Sequence, residues 1–92
     1  TRLNSWYAIE VNISAAESLE RVESILEQEL KRIGAKEKKI ISGPFYKGVT
    51  AIANGTATLS IIAECKEQDY NAVKRYVNRE LRLLFKREKI NQ

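Results

Sequence analysis

The sequence predicts an α+β sandwich with the element order strand, helix, strand, strand, helix, strand. Three observations carry this. Residues 6–13 alternate between apolar and polar side chains, as a strand with one covered face does. Residues 19–33 and 70–85 repeat apolar residues at helical spacing. Asn54-Gly55 joins two alternating runs, and this dipeptide is the strongest short hairpin signal a sequence carries. A βαββαβ order is the ferredoxin-like arrangement, with two helices on one face of an antiparallel sheet. The sixth element starts at Lys89 and stops at Gln92, so the final strand is expected to be truncated.

Each element has its own signal. Residues 1–5 read as a linker remnant and residues 6–92 as one domain. In the first strand Tyr7, Ile9, Val11 and Ile13 share the covered face, with Trp6, Ala8, Glu10 and Asn12 opposite. Ser14-Ala15-Ala16-Glu17 has the spacing of a capping box, which places the first helix start there. Leu19, Val22, Leu26, Leu30 and Ile33 form its core stripe, with Ile25 at the edge, and Gly34 is expected to end it in the left-handed region.

Residues 35–42 read as a basic, irregular connection through Lys36, Lys38 and Lys39. Residues 47–53 and 56–64 read as the hairpin strands. Ala57, Leu59, Ile61, Ala63 and Cys65 share one face, and Thr56, Thr58, Ser60, Ile62 and Glu64 the other. Cys65 therefore reads as a small buried hydrophobe, not a reactive thiol. The second helix opens near residues 67–69, whose carboxylates suit a helix N-terminus. Tyr70, Val73, Val77, Leu81 and Leu84 make its core stripe, with Phe85 at one edge.

Composition narrows the function. The chain has 92 residues, 43% of them apolar, enough for one modest core. Sixteen basic residues against 12 acidic ones leave a formal charge of +4, which permits an anionic partner without requiring one. There is no histidine, and the single cysteine excludes an internal disulfide and the paired-cysteine sites of small metal-transfer domains. No apolar run approaches the roughly 18 residues of a membrane helix. No cofactor is expected, since no glycine-rich loop follows the first strand: Ile13-Ser14-Ala15-Ala16 stands there. Glu10 and Glu64 both belong to the open sheet face, where a close carboxylate pair would be needed for acid–base work. Polar residues on a sheet surface are far commoner, and the reading is that the chain is not an enzyme. The two inner strands offer no aromatic platform beyond Trp6 at the margin, so nucleic acid is not an expected partner.

Two charged stripes remain as candidate surfaces. Glu20, Glu23 and Glu27 run beside the core stripe of the first helix. Arg75, Arg79, Arg82 and Lys86 run almost opposite the core stripe of the second, with Tyr76 and Leu83 at the border. Either set is a solvated face, a lining of a charged concavity, or a surface for another subunit.

Four weak motifs together resemble a known family. Gly43-Pro44-Phe45-Tyr46-Lys47-Gly48-Val49 resembles the "P…GV" segment that enters the hairpin in the C-terminal part of small-conductance mechanosensitive (MscS) channels. Asp69-Tyr70-Asn71-Ala72-Val73-Lys74-Arg75 resembles the family's "DY..V.R" helix opening, and residues 58–63 its alternating strand. Lys89-Ile90-Asn91-Gln92 stands where the family has "GI.IP", with Glu88 or Lys89 replacing the usual glycine. Residues 7–13 and 19–30 match the family's first strand and helix.

The resemblance implies a cytoplasmic vestibule domain of an integral membrane channel that opens under membrane tension during hypoosmotic shock. It implies a homoheptamer as the assembly, permeating ions and small osmolytes as further partners, and a place on the cytoplasmic side of a bacterial or archaeal membrane. The membrane would be contacted through upstream helices absent from this sequence, so the fragment itself acts as scaffold and filter. The alternative is a stand-alone ferredoxin-like module that binds a ligand or RNA.

Overall fold

The computed structural model describes residues 4–91. Strand β1 covers Asn4–Ser14, helix α1 Leu19–Lys36, strand β2 Ile40–Ala53, strand β3 Thr56–Lys66 and helix α2 Tyr70–Arg87. A single 3₁₀ turn over Glu67–Asp69 leads into α2. The strands form one antiparallel sheet in the order β1-β3-β2, and both helices lie on one of its faces. This is the ferredoxin-like arrangement through its fifth element.

The hydrophobic pattern places the core between sheet and helices. Ile9, Val11 and Ile13 of β1 meet Val22, Leu26, Leu30 and Ile33 of α1 and Val73, Val77, Leu81 and Leu84 of α2, all buried. The inner face of β3 is buried from Ala57 through Cys65. Tyr7 stacks on Tyr70 with ring centroids 4.2 Å apart and closes the core at that end. Leu19, expected in the α1 stripe, sits at the helix start and is 36% exposed, outside the buried core. Asn54 and Gly55 both take positive φ, 52° and 75°, as the tight hairpin turn requires.

Several local expectations are corrected. The capping box at Ser14 does not form. Ser14 stays in β1, paired with Thr56, so the chain must turn before it can coil. The Ser14 hydroxyl accepts from the Ala16 N–H and its carbonyl from the Glu17 N–H. Ser18 is the cap instead, its hydroxyl accepting from the Arg21 N–H at 3.4 Å. Gly34 does not end the helix, which continues to Lys36. It is a close-approach glycine: a Cβ there would collide with the Gly43 carbonyl oxygen and lie 3.0 Å from Pro44 Cδ.

Strand β2 also starts earlier than its sequence suggests, at Ile40. Its pairing with β3 is interrupted by bulges between Ile40 and Ser42, Ser42 and Phe45, Tyr46 and Gly48, and Val49 and Ala51. Gly43 (φ 88°) and Pro44 occupy one of these interruptions, where a missing N–H and a left-handed residue are tolerated. Strand β1 begins at Asn4, inside the segment expected to be a linker.

No regular strand follows α2 through Asn91, and Gln92 lies outside the described residues. The chain leaves the helix through a Schellman cap. Ile90 N–H donates to the Phe85 carbonyl and Lys89 N–H to that of Lys86, with Lys89 in the left-handed region at φ 58°. Buried Ile90 packs with Phe85 in the core cluster. Asn91 then reaches β1: its carbonyl accepts from the Ser14 N–H at 2.8 Å, and its N–H donates to the Glu17 carboxylate at 3.0 Å.

Candidate functional site

The helical period sorts the charges of the two helices into distinct sets. One set lies between the helices. Arg32 donates to Glu29 at 2.7 Å and approaches Glu80 at 3.8 Å. Arg87 approaches Glu29 at 3.4 Å, and Arg21 donates to the Glu88 carbonyl at 2.6 Å. The Tyr76 hydroxyl donates to the Ile33 carbonyl at 3.2 Å across the same seam. The hydrogen bond from Arg32 holds the Glu29 carboxyl below its ordinary value, against the opposing effect of burial. Burial pushes the Tyr76 phenol up. This ladder was not visible in the sequence. Its signal, Arg32 three residues after Glu29, has meaning only once α2 is set beside α1.

The outer flank of α1 carries the acidic stripe. The Glu23 carboxylate accepts from the Tyr46 hydroxyl of β2 at 2.6 Å. Burial, and then this bond, hold the Tyr46 phenol far above its ordinary value. Glu20 and Glu27 form no salt bridge among the described residues. Glu27 instead borders a cavity of about 530 Å³ between α1 and β2, lined also by Leu30, Lys31, Ala35, Pro44 and Phe45.

The basic stripe lies on the opposite side of the molecule. Arg75, Arg79, Arg82 and Lys86 are exposed. Arg79 approaches Glu80 at 3.4 Å, whereas Arg75, Arg82 and Lys86 form no salt bridge among the described residues. Arg79 and Arg82 frame a groove of about 570 Å³ against Glu10, Val11 and Asn12 of β1. It leads toward a second hollow between Arg82, Lys86, Ile90 and Asn91. Since β1 and β2 are the two outer strands, basic and acidic stripes flank opposite edges of the sheet. Of the two border residues, Tyr76 packs against the core and Leu83 is 46% exposed.

The open sheet face has its own features. Trp6 and Phe45, 49% and 51% exposed, stack with ring centroids 6.0 Å apart. Phe45 pairs with Ile62, and Ile62 with Ala8, so these four make an apolar patch. The sequence hid it because Phe45 follows Gly43-Pro44 and reads as loop. Glu10 and Glu64 do not meet. Glu10 pairs with Ser60 and Glu64 with Trp6, four residues along the strand or roughly 13 Å. Among the described residues, no group of three or more His, Cys, Asp or Glu is arranged to hold a metal. Cys65 is fully buried, and burial pushes its thiol pKa up.

No described helix is long and apolar enough to cross a membrane. No protein-family model and no curated protein matches the sequence. Among solved structures, the chain is similar to Arabidopsis thaliana MSL1, determined by cryo-electron microscopy, with a TM-score of 0.60 at 18% identity. The match covers 94% of this chain and 33% of that one, so the chain shares the fold of about a third of MSL1.

Proposed function

We propose that this chain is the cytoplasmic ferredoxin-like domain of an MscS-type mechanosensitive channel. One observation carries the reading: nearly the whole chain takes the fold of one part of MSL1, a longer chain of that channel family. The ordered motifs around Gly43–Val49 and Asp69–Arg75 support it independently. The domain then works as a non-catalytic scaffold and filter on the cytoplasmic side of the membrane. It assembles with copies of itself, seven in the full-length channel, around a vestibule through which ions and small osmolytes pass. Membrane tension acts on helices elsewhere in the parent polypeptide.

The Trp6–Phe45 stack is the observation that favours the alternative, an RNA-binding face. Electrostatics decides against it. The paired positions of this face carry two carboxylates, Glu10 and Glu64, against one basic residue, Lys66 at its end beside Asn4. A face that must approach phosphates needs the reverse.

The test is the parent protein expressed in cells stripped of their own mechanosensitive channels. Patch recordings should show tension-gated currents, and the cells should survive hypoosmotic shock. A parent that expresses at the membrane and gives neither result overturns the reading.

A further inference from the structure

Charges between the helices find partners inside the chain, and those on the outer flanks largely do not. Arg21, Glu29, Arg32, Glu80, Arg87 and Glu88 are joined in one ladder. Outside it, Glu20 and Glu27 sit unbridged above the β2 edge, and Arg75, Arg82 and Lys86 unbridged above the β1 edge. Opposite charges on opposite flanks cannot meet within one copy. They meet when one copy is placed beside the next in the same orientation.

We propose that the α1–β2 flank of one copy receives the α2–β1 flank of another, with Arg82 of the second copy seated in the cavity beside Glu27. This deepens the self-assembly reading above and rests on it. The cavity suits an arginine. Leu30, Ala35 and Pro44 provide apolar walls for the methylene stem, and Glu27 provides a carboxylate for the guanidinium. Phe45 offers an exposed ring on which the guanidinium plane can lie. Lys31 also lines the cavity and opposes any entering cation, so the Glu27 carboxylate and the apolar walls must outweigh it. Arg82 is the fitting occupant because it borders both hollows on its own flank and forms no salt bridge among the described residues, not even with Glu10, which lines the same groove.

Such a contact is heterologous, head to tail, so it builds a ring or a filament and not a closed pair. It explains why the two stripes differ in sign and why they lie at the two sheet edges. The bulged β2 edge is poorly suited to direct strand pairing, so side chains and not a continuous sheet carry the contact.

The experiment is sedimentation velocity on the full 92-residue chain at low and high salt. At about 10 mM salt, where screening is weak, the wild-type chain should grow past the dimer with concentration; near 0.15 M growth should fall at least about tenfold. Arg79→Gln/Arg82→Gln should stay monomeric, and so should Glu20→Gln/Glu27→Gln, each with an unchanged circular dichroism spectrum. Mixed one to one, the two variants should form a species of two chains and stop there, because each retains one competent flank. Growth that persists in both variants overturns this contact while leaving self-assembly standing. A wild-type chain that stays monomeric at low salt overturns it also. The channel reading itself fails or stands on the patch recordings, which do not depend on these residues.

Discussion

Replacing Gly34 with alanine sets two well-known effects against each other. Gly34 lies inside α1, and helix propensity alone favours alanine there by about 0.8–1.0 kcal/mol. The added methyl group, however, runs into the Gly43 carbonyl oxygen, with Pro44 Cδ at 3.0 Å and Gly43 C at 3.1 Å. These are backbone and ring atoms, which cannot swing aside as the end of a long side chain would. Forcing such a methylene into a packed site costs about 1–3 kcal/mol. With no flexible neighbour the upper half of that range applies, so the net loss should be about 1–2 kcal/mol. Urea melts give the difference directly. Gln28→Ala, at an exposed position of the same helix, serves as the control and should be neutral or slightly stabilising. A Gly34→Ala protein as stable as wild type, or more so, would show that α1 does not rest on the Gly43-Pro44 segment.

Three other outcomes follow from the same structure. Lys89 holds the left-handed position of the α2 cap without being glycine, so Lys89→Gly should gain about 0.5 kcal/mol, relief of about 1–2 kcal/mol of strain less the added freedom of the unfolded chain. A loss of stability in the thermal melt would mean that the cap is held by something other than backbone geometry. Cys65 should react slowly with a thiol reagent in the native protein and quickly in denaturant, and rapid native labelling would place it on the surface. Glu29 has its folded pKa below its unfolded value, so its contribution is full above the unfolded value of about 4.3 and is lost as pH falls through the folded one. The gap in urea midpoint between wild type and Glu29→Gln should therefore narrow from pH 6 toward about pH 3, whereas a constant gap would mean that the Arg32 contact does not depend on the carboxylate charge.

Periodicity made most of this fold legible. The α1 and α2 stripes and the alternation of Ala57 through Cys65 state directly which side chains are covered, since 3.6 and 2 are properties of the backbone. Asn54-Gly55 fixed the hairpin for the same reason: few residues tolerate two successive positive φ angles. What failed was local and competitive. Ser14-x-x-Glu17 looks like a better cap than Ser18-x-x-Arg21, but pairing of Ser14 with Thr56 holds it extended. Ser42-Gly43-Pro44 reads as loop, and the bulges that let it remain in β2 cannot be read from one strand alone.

The candidate surfaces were partly legible. Helical spacing grouped Glu20, Glu23 and Glu27, and likewise Arg75, Arg79, Arg82 and Lys86. It could not say that the groups lie at opposite sheet edges, because that depends on strand order. Nor could it pair Glu23 with Tyr46, or Trp6 with Phe45, which are contacts between elements far apart in the chain.

The central claim is that this fold is one part of a tension-gated channel ring. Averaged images of the purified parent protein in detergent test it most directly. The account predicts a sevenfold ring enclosing a hollow vestibule, with this domain in its cytoplasmic wall. A water-soluble parent that purifies as a monomer would contradict it.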